Sequence, residues 1–283
     1  MNNSNYLKPT IYITGATSDI GQSITKRLDT NKFKIVALVR NIKNAKKLLT
    51  NKNIVFKSFD LNKPLNKISV DDNSTVIHCA WENPRDVNLK KHIDSVIPQH
   101  YNFIEKMISK GVDKVIVIGT CAEFGIVYGP VKANDETSPS TSYGSGKDFL
   151  HKSLRLLEKD NNFELVWLRL FNIYGESINK NTVTSLFKKA INDGLTEFPM
   201  SLGEQKLDYL LVSDVAKKIV SSLKKDSGIY HVCSSKPIKL KHLLTKIKKE
   251  NNSLIKLKLG KYPYRNHEPM AIWGENDDLK LYE

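Results

Sequence analysis

The sequence predicts an α/β fold: a doubly wound parallel sheet with a smaller α/β lobe attached. Three observations lead there. Short β-branched runs alternate with helical stretches through the first two-thirds of the chain. Those runs are apolar on both faces, as strands buried inside a parallel sheet are. After Leu170 the rhythm changes to shorter, more mixed pieces.

In order, the strands are TIYIT (10–14), KIVALV (34–39), NIVFKSF (53–59), STVIHC (74–79), KVIVIG (114–119) and ELVWLRL (164–170). Helices are expected over 19–30, 43–50, 87–110 and 143–159, and right-handed crossovers through them keep the strands parallel. Beyond Leu170 the pattern predicts a helix near 182–193, a turn at 199–204, a strand-like 206–212 and a helix at 213–225. The strand GIYHV, a helix near 238–250, the strand LIKLKL and the loop GKYPYRNHEPM follow. The expected division gives residues 1–171 to the sheet domain, with 205–228 returning to it, and residues 172–204 and 229–283 to the lobe. Such a lobe sits over the carboxyl edge of the sheet, where α/β proteins bind ligands.

With 283 residues, 40% of them hydrophobic, the chain can bury a sizeable core. Its apolar runs are strand-sized, far short of the ~20 residues of a membrane helix, and the opening MNNSNYLKPT is polar. A cytoplasmic protein without a membrane partner is expected. Cys79, Cys121 and Cys233 lie far apart and read as reduced thiols, and the seven histidines show no ligand spacing, so no metal site is expected. The net charge of +14 raises a nucleic-acid partner, but the lysines are spread along the whole chain, often beside asparagine, with no aromatic-interleaved basic stripe. What remains of the charge suits a small anionic ligand.

TIYITGATSDIGQSI runs from strand through a glycine turn into a helix, the context that gives such a turn its meaning. Gly15 makes the tight turn and Gly21 lets the helix pack closely. Thr17, Ser18, Asp19 and Ile20 lie between them, beside a helix N-terminus that favours a pyrophosphate. Ser18 stands where a middle glycine is usual, and its hydroxyl and that of Thr17 are expected to donate to phosphate. At the end of the second strand a carboxylate would hold the ribose 2′-hydroxyl of NAD. The chain has Arg40 there, with Lys43 one turn on, which favours the 2′-phosphate of NADPH. Asp60 and Leu61 end the third strand beside the adenine, and Cys79 and Ala80 end the fourth beside the cofactor.

SYGSGKDFL places Tyr143 one helical turn before Lys147, on the same face. Gly144 and Gly146 between them each cost a helix ~1 kcal/mol relative to alanine. A close approach of cofactor or substrate to the bare backbone would explain them.

Together these pieces resemble the extended short-chain dehydrogenases/reductases that act on nucleotide-linked sugars. The matching segments run in order: TGATSDIG, Arg40, FDL, HCAW, GTCAEFG, YGSGK, LRLFNIYG, DYLLVSDVA and PYRNHEPM. The resemblance implies a Rossmann domain, Tyr143 as the acid/base, Lys147 lowering its pKa while holding the nicotinamide ribose, and Thr120 bonding the reacting oxygen. It implies further cofactor contact from Phe171, and substrate contact from Trp81, Thr120, Cys121, Ala122, Tyr143, Asn172 and Arg265.

Three departures qualify it. Cys121 and Ala122 replace the Asp-Glu of the sugar dehydratases, and Ala122 holds the place of the epimerising cysteine of GDP-fucose synthases; Cys121 reads as a buried structural thiol. Leu207 precedes Asp208 where an arginine is usual, removing one diphosphate or ribose contact. The chain closes on DDLKLYE where relatives usually continue through another short helix. The implied activity is NADPH-dependent reduction of a nucleotide-linked 4-keto-6-deoxy sugar or heptose. A sugar 4-epimerase retaining NAD and a non-catalytic NADP-binding redox sensor are the alternatives. Relatives pair two helices into a four-helix bundle across a twofold axis. A homodimer through 87–110 and 143–159 is therefore expected, with Val87, Ile93, Ile97, Phe103, Ile104, Leu150, Leu154 and Leu157 as its apolar residues.

Overall fold

The computed structural model describes residues 8–63, 68–175, 181–275 and 279; most of DDLKLYE lies outside them. The first strands are β1 (Thr10–Thr14), β2 (Lys34–Val39), β3 (Ile54–Ser58), β4 (Ser74–His78) and β5 (Val112–Thr120). Next come β6 (Tyr128–Val131), β7 (Glu164–Leu170), β8 (Asn172–Tyr174), β9 (Glu197–Pro199) and β10 (Lys206–Leu207). The last are β11 (Tyr209–Leu211), β12 (Gly228–Val232), β13 (Ile238–Lys239), β14 (Lys256–Lys258) and β15 (Ala271–Gly274). The helices are α1 (Asp19–Arg27), α2 (Ile42–Leu48), α3 (Ile97–Ile108) and α4 (Ser142–Asp160), then α5 (Val183–Asn192), α6 (Val212–Ser221) and α7 (Leu240–Glu250).

Seven strands form one parallel sheet in the order β12-β7-β5-β4-β1-β2-β3. This is the doubly wound arrangement the alternating pattern predicts, with the order reversing between β1 and β4. Alternate residues of each strand feed two cores. Ile11 and Ile13 pack with Ile24 of α1 and Val215, Ala216 and Ile219 of α6. Tyr12 faces the other way, toward Phe103, Ile104 and Met107 of α3 and Leu150 and Leu154 of α4. Helix α1 is well capped, with Ser18 Oγ accepting from Gly21 N, Asp19 in the first turn and Lys26 and Arg27 in the last.

The lobe has its own core, in which Phe187 of α5 meets Leu243, Leu244 and Ile247 of α7. Its four-stranded sheet runs β13-β10-β15-β6.

The expected domain boundaries shift at three places. Tyr128–Val131, assigned to the sheet domain, is β6 and pairs with β15 in the lobe's sheet. GIYHV, assigned to the lobe from residue 229 on, is β12 and pairs with β7 at the edge of the main sheet. Lys206–Leu207, assigned to the sheet domain, pairs instead with β13 and β15 in the lobe. Short strands carry too little pattern to name their partner; here non-local pairing decides it. Helix α3 also begins later than expected, directly after a π-helical turn at His92–Val96, with Pro98 as its second residue.

Most of the residues expected on a dimer face are core residues. Ile97, Phe103, Ile104, Leu150 and Leu154 are buried, whereas Ile93, Phe149 and Leu156 stay exposed at 46%, 60% and 61%.

Candidate active site

Two cavities open at the carboxyl edge of the main sheet. The smaller, about 300 Å³, is lined by Gly15, Thr17, Ser18, Arg40, Asp60, Leu61, Cys79 and Ala80, all expected at a cofactor. Gly15 turns the chain with φ of +63°, and a Cβ there would lie 2.7 Å from Ala80 N. Ser18 uses its oxygen to cap α1, which leaves the hydroxyl hydrogen for a phosphate. Gly21 packs against the turn itself rather than a strand: a Cβ would lie 2.3 Å from Gly15 O. The Arg40 charge helps hold the Asp60 carboxyl below its ordinary range, after its bonds with Asn62. Lys43 is exposed on α2 and does not line the cavity.

The larger cleft, about 1050 Å³, lies between the sheet and the lobe. Thr120, Cys121, Ala122, Tyr143, Asn172 and Arg265 line it, as expected of substrate contacts. Asp19, Ile20 and Phe171, expected at the cofactor, open into this cleft rather than the smaller cavity. Trp81, expected at the substrate, lines the cofactor cavity instead. Cys121 is half-buried and borders the cleft rather than being sealed inside the fold. Burial pushes its thiol up to about 12, so it remains protonated.

Thr120 ends β5, and its hydroxyl caps the 3₁₀ turn Cys121–Phe124 by accepting from Ala122 N at 3.2 Å. The Thr120 side chain stands beside the Tyr143 phenol and favours its ionised form. Tyr143 stands in the first turn of α4, where Thr141 caps the helix through Gly144 N. One turn on, Lys147 is 3% exposed and donates to Ile118 O at 2.7 Å.

The glycines between them have a different reason from the one expected. A Cβ on Gly144 would lie 2.4 Å from Ala122 O, and one on Gly146 would lie 2.9 Å from His92 O. It is the protein's own backbone that approaches here, seating α4 against the Thr120 turn and the π-helical turn before α3.

The Tyr143 phenol is raised overall, and Lys147 is not among the groups that shift it. Burial pushes Tyr143 up, the Thr120 side chain draws it back, and the charges of Glu123 and Cys121 raise it further. Lys147 is itself lowered to about 7 by burial, opposed by Glu123 and Cys79.

Several residues at the site escaped the sequence reading. Glu123 is fully buried and accepts from Thr120 N at 2.8 Å, Trp167 Nε1 at 3.1 Å and Arg169 Nε at 2.6 Å. Thr120-Cys-Ala-Glu123 is a capping box, and that spacing was the available signal. His100 lines the cofactor cavity, and its Nδ1 lies 2.5 Å from His78 Nε2, which burial keeps neutral by lowering it to about 3. Gln205 lines the large cleft at 6% exposure, and its side-chain oxygen meets no donor among the described residues. Glu123, Asp148 and His151 also converge, but Arg169 and Lys152 pair the two carboxylates, which makes this a charge network of the fold. Leu207, where relatives usually carry an arginine, lines the cleft, and Asp208 beside it is fully buried, tying down Ser234 and Ser235.

A doubly wound sheet with a threonine and a tyrosine at its carboxyl edge, and a lysine one helical turn on, is the arrangement expected of the extended short-chain dehydrogenases/reductases. The model of the NAD dependent epimerase/dehydratase family matches residues 11–233, and the chain belongs to that family. The chain is 29% identical over 270 residues to the dTDP-6-deoxy-L-talose 4-dehydrogenase (NAD(+)) of Aggregatibacter actinomycetemcomitans, covering 93% of this chain and 98% of that one. It is 28% identical over 185 residues to the dTDP-4-dehydro-6-deoxyglucose reductase of Escherichia coli, covering 61% and 58%. Among solved structures, the UDP-N-acetylglucosamine 4-epimerase of Methanobrevibacter ruminantium superposes with a TM-score of 0.85 at 20% identity, over 96% of this chain and 90% of that one. No helix among the described residues is long and apolar enough to cross a membrane.

Proposed function

We propose that the protein reduces the keto group of a nucleotide-linked 4-keto-6-deoxy sugar, or a close relative such as a heptose, with NADPH. The observation that carries this reading is Tyr143 beside Thr120 at the wall of a cleft whose next two residues are Cys121 and Ala122. The site has a proton donor for a carbonyl oxygen. At these two positions it lacks the carboxylic acids that a dehydration needs. The names of the two curated relatives, one a 4-dehydrogenase and one a reductase of 6-deoxy sugars, support the same chemistry.

The Gly15 turn, the free N–H groups at the start of α1 and the Ser18 hydroxyl suit a dinucleotide pyrophosphate. When bound, the reduced nicotinamide supplies a hydride to the carbonyl carbon. The protein does the rest. Tyr143 gives its phenolic proton to the oxygen that gains charge, and Thr120 orients that oxygen and the phenol together. Lys147, anchored on Ile118 O, favours the phenolate left behind and offers a ribose its remaining N–H bonds. Val87, Ala122, Phe171 and Ile173 give the cleft apolar walls for a deoxygenated carbon. Farther into the lobe, Arg265 suits the diphosphate, and the unpartnered oxygen of Gln205 suits an N–H of the base.

The cofactor choice rests on Arg40. Arg40→Asp is expected to weaken NADPH far more than NADH, because a carboxylate repels the 2′-phosphate. Equal affinity of the unmutated protein for the two cofactors, by fluorescence titration, would count against it. The NAD(+) in one relative's name makes that comparison pointed.

We also propose a homodimer across the free faces of α3 and α4. Phe149 and Leu156 lie a helical stride apart on the outer side of α4, and Ile93 stands just before α3. Light scattering is expected to give twice the chain mass at micromolar concentration, and Phe149→Glu with Leu156→Glu to halve it. A monomer before mutation would remove this proposal.

A further inference from the structure

Lys147 lines neither cavity. Trp81, carried by the loop that follows β4, lines the cofactor cavity and packs its ring on Lys147. The Lys147 ammonium sits 3.9 Å from the centre of the indole ring, with Ile118 O as its hydrogen-bond acceptor. A desolvated ammonium is attracted to the indole face more strongly than an exposed one. The indole meets Tyr143 edge-to-face at 6.0 Å and 75°, with His100 at 4.7 Å and His92 at 6.2 Å as further ring neighbours.

The indole is itself held. Trp81 Nε1 donates to His92 Nδ1 at 3.3 Å, and His92 Nε2 lies 2.9 Å from the carbonyl oxygen of Asp86. An indole N–H only donates and a carbonyl only accepts, so a single form satisfies both: neutral His92 with its proton on Nε2. The bare backbone of Gly146 makes room for this arrangement, since a Cβ there would lie 3.4 Å from Trp81 Cζ2 and 2.9 Å from His92 O. Gly146 and Lys147 are adjacent in α4, so one helical turn accepts both the ring and the carbonyl beside it.

We infer that Trp81 is a positioning residue for Lys147: the indole face and Ile118 O hold the ammonium between them, and His92 sets the angle of the indole. This deepens the proposed reading of Lys147 as the partner of Tyr143. The other groups that bear on the ammonium are Glu123 and Cys79, which favour its charge, and the buried His78 and His100, which burial keeps neutral. Tyr143 is held protonated by burial. No carboxylate touches Lys147 directly among the described residues, so the ring is its main neighbour besides a carbonyl.

The test uses the whole protein labelled with ¹³C at the lysine ε-carbon. Protons above an indole face are shifted upfield by its ring current, a signature that general destabilisation does not produce. The Lys147 methylene, identified by its loss in Lys147→Arg, is expected well upfield of the other lysines. Trp81→Leu should return it to the ordinary position, and His92→Leu should move it part of the way. His92→Gln, which keeps an acceptor for the indole N–H, should restore it. In parallel, Trp81→Leu is expected to weaken reduced-cofactor binding about tenfold, the scale of one lost cation–π contact, with His92→Gln within about twofold of the unmutated protein. An ordinary Lys147 methylene in the unmutated protein would overturn the inference, as would one unmoved by both Trp81→Leu and His92→Leu. Because the resonance is read without ligand, a protein that shows the shift but binds no nicotinamide cofactor would refute the proposed function and leave this inference standing.

Discussion

Tyr143→Phe is expected to lower turnover on the best 4-keto sugar by at least ~10²-fold, and up to ~10⁴-fold, the usual worth of a general acid. The change removes only the hydroxyl that meets Thr120 and leaves the ring packed edge-on against Trp81 and His92. Fold and cofactor affinity should therefore survive, and the loss should fall on kcat. Lys147→Met should instead damage both rate and cofactor affinity, because its ammonium would serve both. Stopped rate assays run beside a cofactor titration separate the two variants. A phenylalanine variant of nearly full activity would remove Tyr143 from the mechanism.

Glu123→Gln should be the most destabilising single change at the site. The Glu123 carboxylate and Arg169 are 0% and 2% exposed, so the substitution strands a guanidinium in the core. Breaking a buried pair in this way costs about 3–5 kcal/mol. Burial raises the Glu123 pKa, while Arg169, Thr120 N and Trp167 oppose the rise. The same carboxylate fixes the Thr120 backbone, so the folded fraction should also lose activity beyond what stability explains. Urea unfolding reads the first effect and a rate normalised to folded protein reads the second. A midpoint equal to that of the unmutated protein would show that the pair contributes nothing.

Much of the fold was legible because the main strands are short, apolar and punctuated. TIYIT, KIVALV and ELVWLRL coincide with β1, β2 and β7 residue for residue. GIYHV was visible as a strand, but its half-buried face gave no hint that β7 was its partner. Helices α3 and α4 looked apolar on several faces, yet most of those residues point into the sheet; periodicity counts apolar positions without saying what covers them. At the site, the residue types that do chemistry stood out from sequence, and those that hold them did not. Glu123 had a signal in its capping-box spacing. Gln205, His100 and the role of Trp81 depend on contacts between distant segments, which no local pattern encodes. The two glycines of YGSGK are the instructive case. Their helix cost was readable, but the approaching groups, Ala122 O and His92 O, come from elsewhere in the chain.

The central claim is net reduction of a ketone on a nucleotide sugar, and one measurement addresses it most directly. Purified protein is mixed with CDP-, dTDP-, GDP- and UDP-linked 4-keto-6-deoxy sugars, each with NADPH and with NADH, and oxidation of the cofactor is followed. The account predicts stoichiometric oxidation with one of these sugars, faster with NADPH, and formation of the corresponding alcohol. Interconversion of sugars without net oxidation of added cofactor would contradict it in favour of epimerisation, and tight NADPH binding with no turnover on any sugar would contradict it in favour of a cofactor sensor.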